Sequence, residues 1–240
     1  MRTAACLLMM LLAAPAAMAG QVVSLENDSL RAQWDAGRGT LVSLKDKATG
    51  REWLATAVVT PVYAIQLTDE KSPISSASAA AIVVRQRQGA VIIEGSHDAP
   101  AGFAVTCKFW LEKDSRLVLG RIAIRSQAPC RIAEVRFPLV TLRLPFAGSG
   151  QEDRVLWPEC DGTLLRNPGL SRADRQFRYP GTASMQMMAA FDPAAGLYLA
   201  ARDCEAHMKT FCTRRNSKNL AHVCQFRGGQ GPAVTASSTP

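Results

Sequence analysis

An apolar–polar alternation with a period of two, broken at short intervals by turn formers, constrains this chain more than any other feature. Leu30, Ala32 and Trp34 alternate with Arg31, Gln33 and Asp35, and Ala36-Gly37-Arg38-Gly39 then turns the chain. Residues 41–45 repeat the pattern before a second turn, Lys47-Ala48-Thr49-Gly50. The rhythm recurs at 62–67, 81–87, 91–94, 103–111, 117–125 and 131–144. Successive side chains on a strand point to opposite faces, so this alternation marks strands with one buried side. No stretch repeats apolar residues at helical spacing over three turns with a cap at each end. Strands in this number, parted by Gly, Pro and Asp, predict an all-β fold of antiparallel sheets, a sandwich or a barrel.

The start of the chain carries a different signal. Arg2 precedes an apolar run over 4–17, and Ala17-Met18-Ala19 is a small-x-small cleavage pattern. That layout is a secretory signal peptide, and the run is too short for a membrane span. The expectation is an exported protein, periplasmic or extracellular, with no membrane span. The net charge of +8 is scattered over residues such as Arg85, Arg121 and Arg136, and the run Arg214-Arg215-Asn216-Ser217-Lys218 holds no aromatic ring. Nucleic-acid binding asks for a basic stripe with stacking rings, so no nucleic-acid partner is expected. Of seven cysteines, Cys6 falls in the signal. The others permit disulfides in an exported chain, with the pairing open.

Three stretches depart from the rhythm. Residues 72–80 are small and read as a surface loop. Residues 145–180 are rich in Pro, Gly and Arg and read as one long functional loop. Residues 214–240, ending in a Gly- and Ser-rich run, read as a disordered tail or truncated linker. Between the last two lies a hairpin. Met185, Met187, Ala189 and Phe191 are placed on one strand face, with Leu197 and Leu199 returning on that face and Tyr198 and Ala200 opposite. The methionine stripe reads as core filling. The domain layout is thus a signal over 1–19, one sandwich over 20–213 and a tail over 214–240.

The opening LENDSLRAQWDAGRGTLVSLKDKATGREWL resembles the first hairpins of galactose-mutarotase-like β-supersandwich domains. The block YPGTASMQMMAAFDPAAGLYLAARD, followed by Lys209, resembles the last hairpin of that sandwich in exported bacterial glycoside-hydrolase-like proteins. WPECDGTLLRNP resembles the loop before it, and the resemblance spans about 25–211. It implies an antiparallel β-supersandwich and, in the parent proteins, a following barrel whose strand ends carry the catalytic carboxylates. Such a barrel needs about 250 residues, far more than follow Phe211. The chain therefore reads as the sandwich without its barrel, either a truncated reading frame or a free-standing descendant. On that reading it is a non-catalytic module that braces a barrel and contacts glycan, without a cofactor. The alternatives are a stand-alone carbohydrate epimerase or lyase using loop carboxylates, or a purely structural exported protein.

Candidate residues follow from the chemistry. A sugar face stacks on an aromatic ring, and planar donors and acceptors bind its hydroxyls. The 145–180 stretch supplies Trp157, Tyr179 and Phe177 with Arg166, Arg175, Asn167 and Glu159. Glycoside hydrolysis needs two opposed carboxyls, for which Glu159 and Asp161 are the candidates, while adjacent Glu152 and Asp153 should diverge. Mutarotation needs an acid and a base, and of the histidines His97 reads as a turn residue. Cys204, His207, Cys212, His222 and Cys224 are zinc-ligand types without zinc-ligand spacing, so no metal is expected. The run Asp203, Cys204, Glu205, His207, Lys209 reads as the polar end of the sandwich.

Overall fold

The computed structural model describes residues 21–170, 174–215 and 219–227, and the only helical turn among them is Ser76–Ser78. The signal-peptide reading of 1–19 lies outside the described residues. No helix among those described is long and apolar enough to cross a membrane.

β1 (Val22–Glu26), β2 (Leu30–Asp35) and β3 (Leu41–Asp46) form a three-stranded antiparallel meander. Its turns are built by aspartates that bond their own backbone. Asp35 Oδ1 accepts from Gly37 N at 2.8 Å and Arg38 N at 2.9 Å, and Asp46 Oδ1 accepts from Ala48 N at 2.8 Å. Gly39 has φ +64°, and a Cβ there would lie 2.7 Å from Ile93 Cγ2. Only glycine fits that turn.

β4 (Ala64–Leu67) and β5 (Ile74–Ser75) are followed by a four-stranded meander of β6 (Ala81–Arg87), β7 (Ala90–His97), β8 (Phe103–Leu111) and β9 (Val118–Arg125). Next come β10 (Ile132–Arg143), β11 (Arg154–Trp157), β12 (Thr163–Arg166), β13 (Arg175–Tyr179), β14 (Met187–Phe191), β15 (Gly196–Ala200), β16 (Lys209–Arg215) and β17 (Asn219–Arg227). They complete a second four-stranded sheet, ordered β12-β11-β14-β15, and a six-stranded sheet, ordered β13-β16-β17-β10-β4-β5.

One aromatic column ties three of the four sheets. Trp34 on β2 packs on Phe109 of β8 at 5.1 Å between centroids, and Phe109 packs on Phe137 of β10 at 5.5 Å. Truncating a buried ring of this kind costs about 3–5 kcal/mol. A second link joins the residue before β4 to the end of β7, where the Tyr63 hydroxyl and His97 Nε2 lie 2.9 Å apart in the interior. Burial pushes the Tyr63 phenol up and the His97 imidazole down. A Cβ on Gly95 would collide with the Tyr63 hydroxyl, so this glycine makes room for the pair.

A charged joint closes the sandwich at another corner. Arg51 Nη2 lies 2.8 Å from Asp192 Oδ2, with the two side chains 10% and 5% exposed. Asp192 Oδ1 also accepts from Ala194 N at 2.8 Å and Ala195 N at 3.0 Å, and the Arg51 guanidinium lies over the Trp53 ring. Asp153, nearby and buried, accepts from Phe146 N at 2.7 Å through Oδ2. Burial raises its pKa, and the charge of Asp192 adds to the rise.

The structure corrects several expectations. The 145–180 stretch is not one loop, because β11, β12 and β13 lie within it. Those strands have only four or five residues each. Within 72–80, Ile74–Ser75 pairs with β4 before the helical turn. His97 ends a strand instead of sitting in a turn. The hairpin faces are reversed. Met188 and Ala190 are buried and pair with Leu199 and Leu197, whereas Met187, Ala189 and Phe191 are only half-buried on the outer side. The sandwich does not stop at 213, since β16 runs to Arg215 and β17 to Arg227 in the middle of the six-stranded sheet. Of the expected tail, 216–218 and 228–240 lie outside the described residues.

Candidate functional site

The sequence candidates gather where the end of β11 meets the edge strand β13. Trp157 is 3% exposed, and the Arg175 guanidinium sits 5.7 Å above its ring. Arg175 Nε and Nη2 both donate to Glu159 Oε2, at 2.8 and 2.6 Å. The structure thus brings Trp157, Glu159 and Arg175 together as a latch between two sheets, with the indole packed inward. Asp161 is exposed in the turn between β11 and β12, and Arg166 is exposed at the end of β12. Tyr179 is half-buried at the far end of β13 from Arg175. Glu152 and Asp153 do diverge, the first to Arg154 Nη2 at 2.8 Å and the second to the Phe146 amide.

The polar run after the hairpin is an anchor for one lysine. Lys209 is fully buried on β16, and its Nζ donates to Asp203 Oδ2 and, at 2.6 Å, to His207 O. The same ammonium lies 5.5 Å from the Tyr179 ring centroid. Asp203 also accepts from Glu205 N at 2.9 Å and His207 N at 2.8 Å. Lys209 first, with these amides, holds the Asp203 carboxyl well below the usual carboxylate range. The run does not end the sandwich as expected, because two further strands follow it. Cys107, Cys130, Cys160 and Cys204 are thiols, the first buried, the second half-buried and the last two exposed.

A further set of residues emerges only from the strand register. Directly paired residues share a sheet face. Arg178 pairs with Thr210 and Gln176 with Cys212 on β13–β16, which puts Arg214 on the same face two residues further along β16. The pairing continues through β17 to Arg136 on β10. The opposite face carries Phe177 stacked on Phe211 and points into the core. The outer face is therefore polar. Arg178, Gln176 and Arg214 are exposed, while Arg136 forms an ion pair with Glu134. Thr210 is buried among them, and its hydroxyl has no partner among the described residues. A shallow cleft at this corner is lined by Asp174, Arg175, Gln176, Cys212, Thr213 and Arg214. Sequence reasoning assigned no site role to Gln176, Arg178, Thr210 or Arg214, although the polar alternation of Gln176, Arg178 and of Thr210, Arg214 is the signal that marks the face.

Another cleft lies between the first meander and β10, walled by Leu54, Val58, Val59, Leu139 and Val140. Its polar groups are mostly committed, Asp35 to its turn and Thr60 to Thr141 at 2.8 Å.

No family model and no curated protein matches the sequence. Solved structures do match the fold. The chain is similar to α-N-acetylgalactosaminidase NagBb from Bifidobacterium bifidum, with a TM-score of 0.65 at 13% identity over 85% of this chain. It spans only 33% of that enzyme's length. A galactose mutarotase-like protein from Lactobacillus casei matches with a TM-score of 0.56 at 13% identity, over 85% of this chain and 87% of that one. A galactose mutarotase related enzyme from Lactobacillus acidophilus matches with a TM-score of 0.58 at 9% identity, over 91% and 88%. In fold, this chain is an antiparallel, galactose mutarotase-like β-sandwich.

Proposed function

We propose that the chain is an exported carbohydrate-associated module that braces a larger catalytic domain and contacts glycan, without chemistry of its own. The observation that carries the bracing role is the outer side of the β12-β11-β14-β15 sheet. Leu164, Leu156, Ala189 and Tyr198 form one cross-strand row there, with Leu164 45% and Tyr198 48% exposed. An exposed apolar row of this kind, flanked on its face by the paired Arg154 and Arg166, marks an interaction surface. The match covers a third of the glycosidase NagBb, so most of that enzyme lies outside the matching sandwich. Glycan contact falls to the outer face of the six-stranded sheet, where planar Arg and Gln side chains stand exposed.

The side-chain geometry favours binding over catalysis. Mutarotation or glycoside cleavage needs an acid and a base across the sugar. Glu159 is held by Arg175, and His97 is spent on Tyr63. A stand-alone epimerase is the second reading, favoured by the end-to-end match to the two Lactobacillus proteins. Titration calorimetry with galactose- and N-acetylgalactosamine-containing oligosaccharides, beside polarimetry of anomer exchange, separates the readings. Binding without exchange is expected. Exchange that disappears in Glu159→Gln establishes the enzyme reading instead, and neither binding nor exchange leaves a purely structural protein.

A further inference from the structure

We propose that the β13–β16 corner of the outer face is an anion-accepting subsite, built for the carboxylate or sulfate groups of an acidic glycan. This rests on the reading of that face as the glycan-contacting one. The charge balance of the corner carries the inference. Two of its carboxylates are paired, Glu159 with Arg175 and Glu134 with Arg136, while Asp174, at the rim of the cleft, accepts from the Arg215 amide at 2.7 Å and keeps its charge. Arg178 and Arg214 are exposed, and among the described residues neither guanidinium has an acceptor. Two exposed guanidiniums on one face outnumber the single Asp174 carboxylate, and with the Gln176 amide between their rows they suit a ligand with acceptor-only groups.

Geometry narrows the ligand further. Thr210, directly paired with Arg178, and Arg214 are four residues apart on one strand, so the two arginine positions lie about 13 Å apart along it. An extended chain with repeated charges matches that spacing better than one small ion does. Beside Arg178, the buried Thr210 hydroxyl has no partner among the described residues. Buried polar groups are nearly always satisfied, so an orphan at this point marks a place for a missing partner. A neutral sugar would be served equally by amides and hydroxyls, whereas the planar fork of arginine pairs best with carboxylate or sulfate.

The test uses the full chain at low salt in titration calorimetry. The probes are an oligogalacturonate, a chondroitin sulfate oligosaccharide, a neutral galacto-oligosaccharide of equal length, and polyglutamate. Either acidic glycan is expected to bind at least about tenfold tighter than the neutral one, and Arg178→Gln and Arg214→Gln should each weaken it about tenfold. Arg121→Gln, on exposed β9, should leave it unchanged. The tighter of the two acidic glycans assigns the anion as carboxylate or sulfate. Equal binding of neutral and acidic glycans overturns the anion subsite while leaving the glycan-contact reading intact. Polyglutamate bound as tightly, with Arg121→Gln as damaging as the other variants, overturns it as unspecific charge attraction. No binding of any oligosaccharide removes both readings. Thermal melts of each variant matched to the parent keep a folding defect from imitating a lost site.

Discussion

Two charged joints hold this sandwich together, and they differ in one respect that decides what each can do. At the Arg51–Asp192 joint both partners are almost wholly buried, and every remaining oxygen contact comes from backbone amides. At the Arg175–Glu159 joint the side chains are 46% and 20% exposed, over a buried Trp157. The two pairs are equally well formed by distance, at 2.8 and 2.6 Å. Water screens the second and leaves the first in a low-dielectric interior. The buried joint therefore acts on stability, while the open one can exchange its partners with a ligand at little cost to the fold.

Removing Arg51 breaks this contrast most severely. Arg51→Ala should cost about 3–5 kcal/mol in urea unfolding, because it leaves Asp192 as a buried carboxylate without its counter-charge. The double change Arg51→Met with Asp192→Leu should recover most of that loss. A single-variant loss below about 1 kcal/mol would mean that the joint is wet, and the contrast would fail.

A pH series sharpens the same joint. Burial opposes ionisation of Asp192, but Arg51 and the two amides outweigh it and lower the net pKa. Its contribution is full above the unfolded pKa and is lost as the pH falls through the lower folded one. Asp153 has the opposite sign. Its pKa is raised, chiefly by burial, so folding is relieved of a cost as acid protonates it. Asp153→Asn removes that relief, and its stability should fall more steeply than the parent's between about pH 7 and pH 3. Parallel acid limbs would show that Asp153 does not titrate with folding.

The smallest effect is expected at the open joint. Arg175→Ala should change stability by no more than about 1 kcal/mol, as exposed pairs do. A larger loss in the unfolding midpoint would identify the Trp157 stack as a part of the core.

The sequence made the β1–β3 and β6–β10 segments legible because each strand there shows a wet side and a dry side. Ala32 and Trp34 against Arg31 and Gln33 are enough to place β2 and its inward face. It failed where that asymmetry is missing. β16 is buried on both faces over Lys209 to Thr213, and three of those five residues are Lys or Thr, so the segment imitates a surface. The Met187–Phe191 strand is apolar on both sides, and a continuous apolar run leaves the inward face undetermined. Of the site, the Trp157–Glu159–Arg175 grouping was readable because its members share one stretch of sequence. The Arg178–Thr210–Arg214 face was not, since its coherence depends on pairing between strands far apart in the chain.

The position of β17 has a consequence for biosynthesis. β10 is complete by Arg143, yet the strand that separates it from β16 spans Asn219–Arg227. Chains emerge and begin to fold from the N-terminus. A nascent chain therefore holds two half-sheets with bare edges until its last described strand slots between them. Bare edges are templates for pairing with other chains. The interval between making β10 and making β17 is thus the period when this protein is most vulnerable to aggregation.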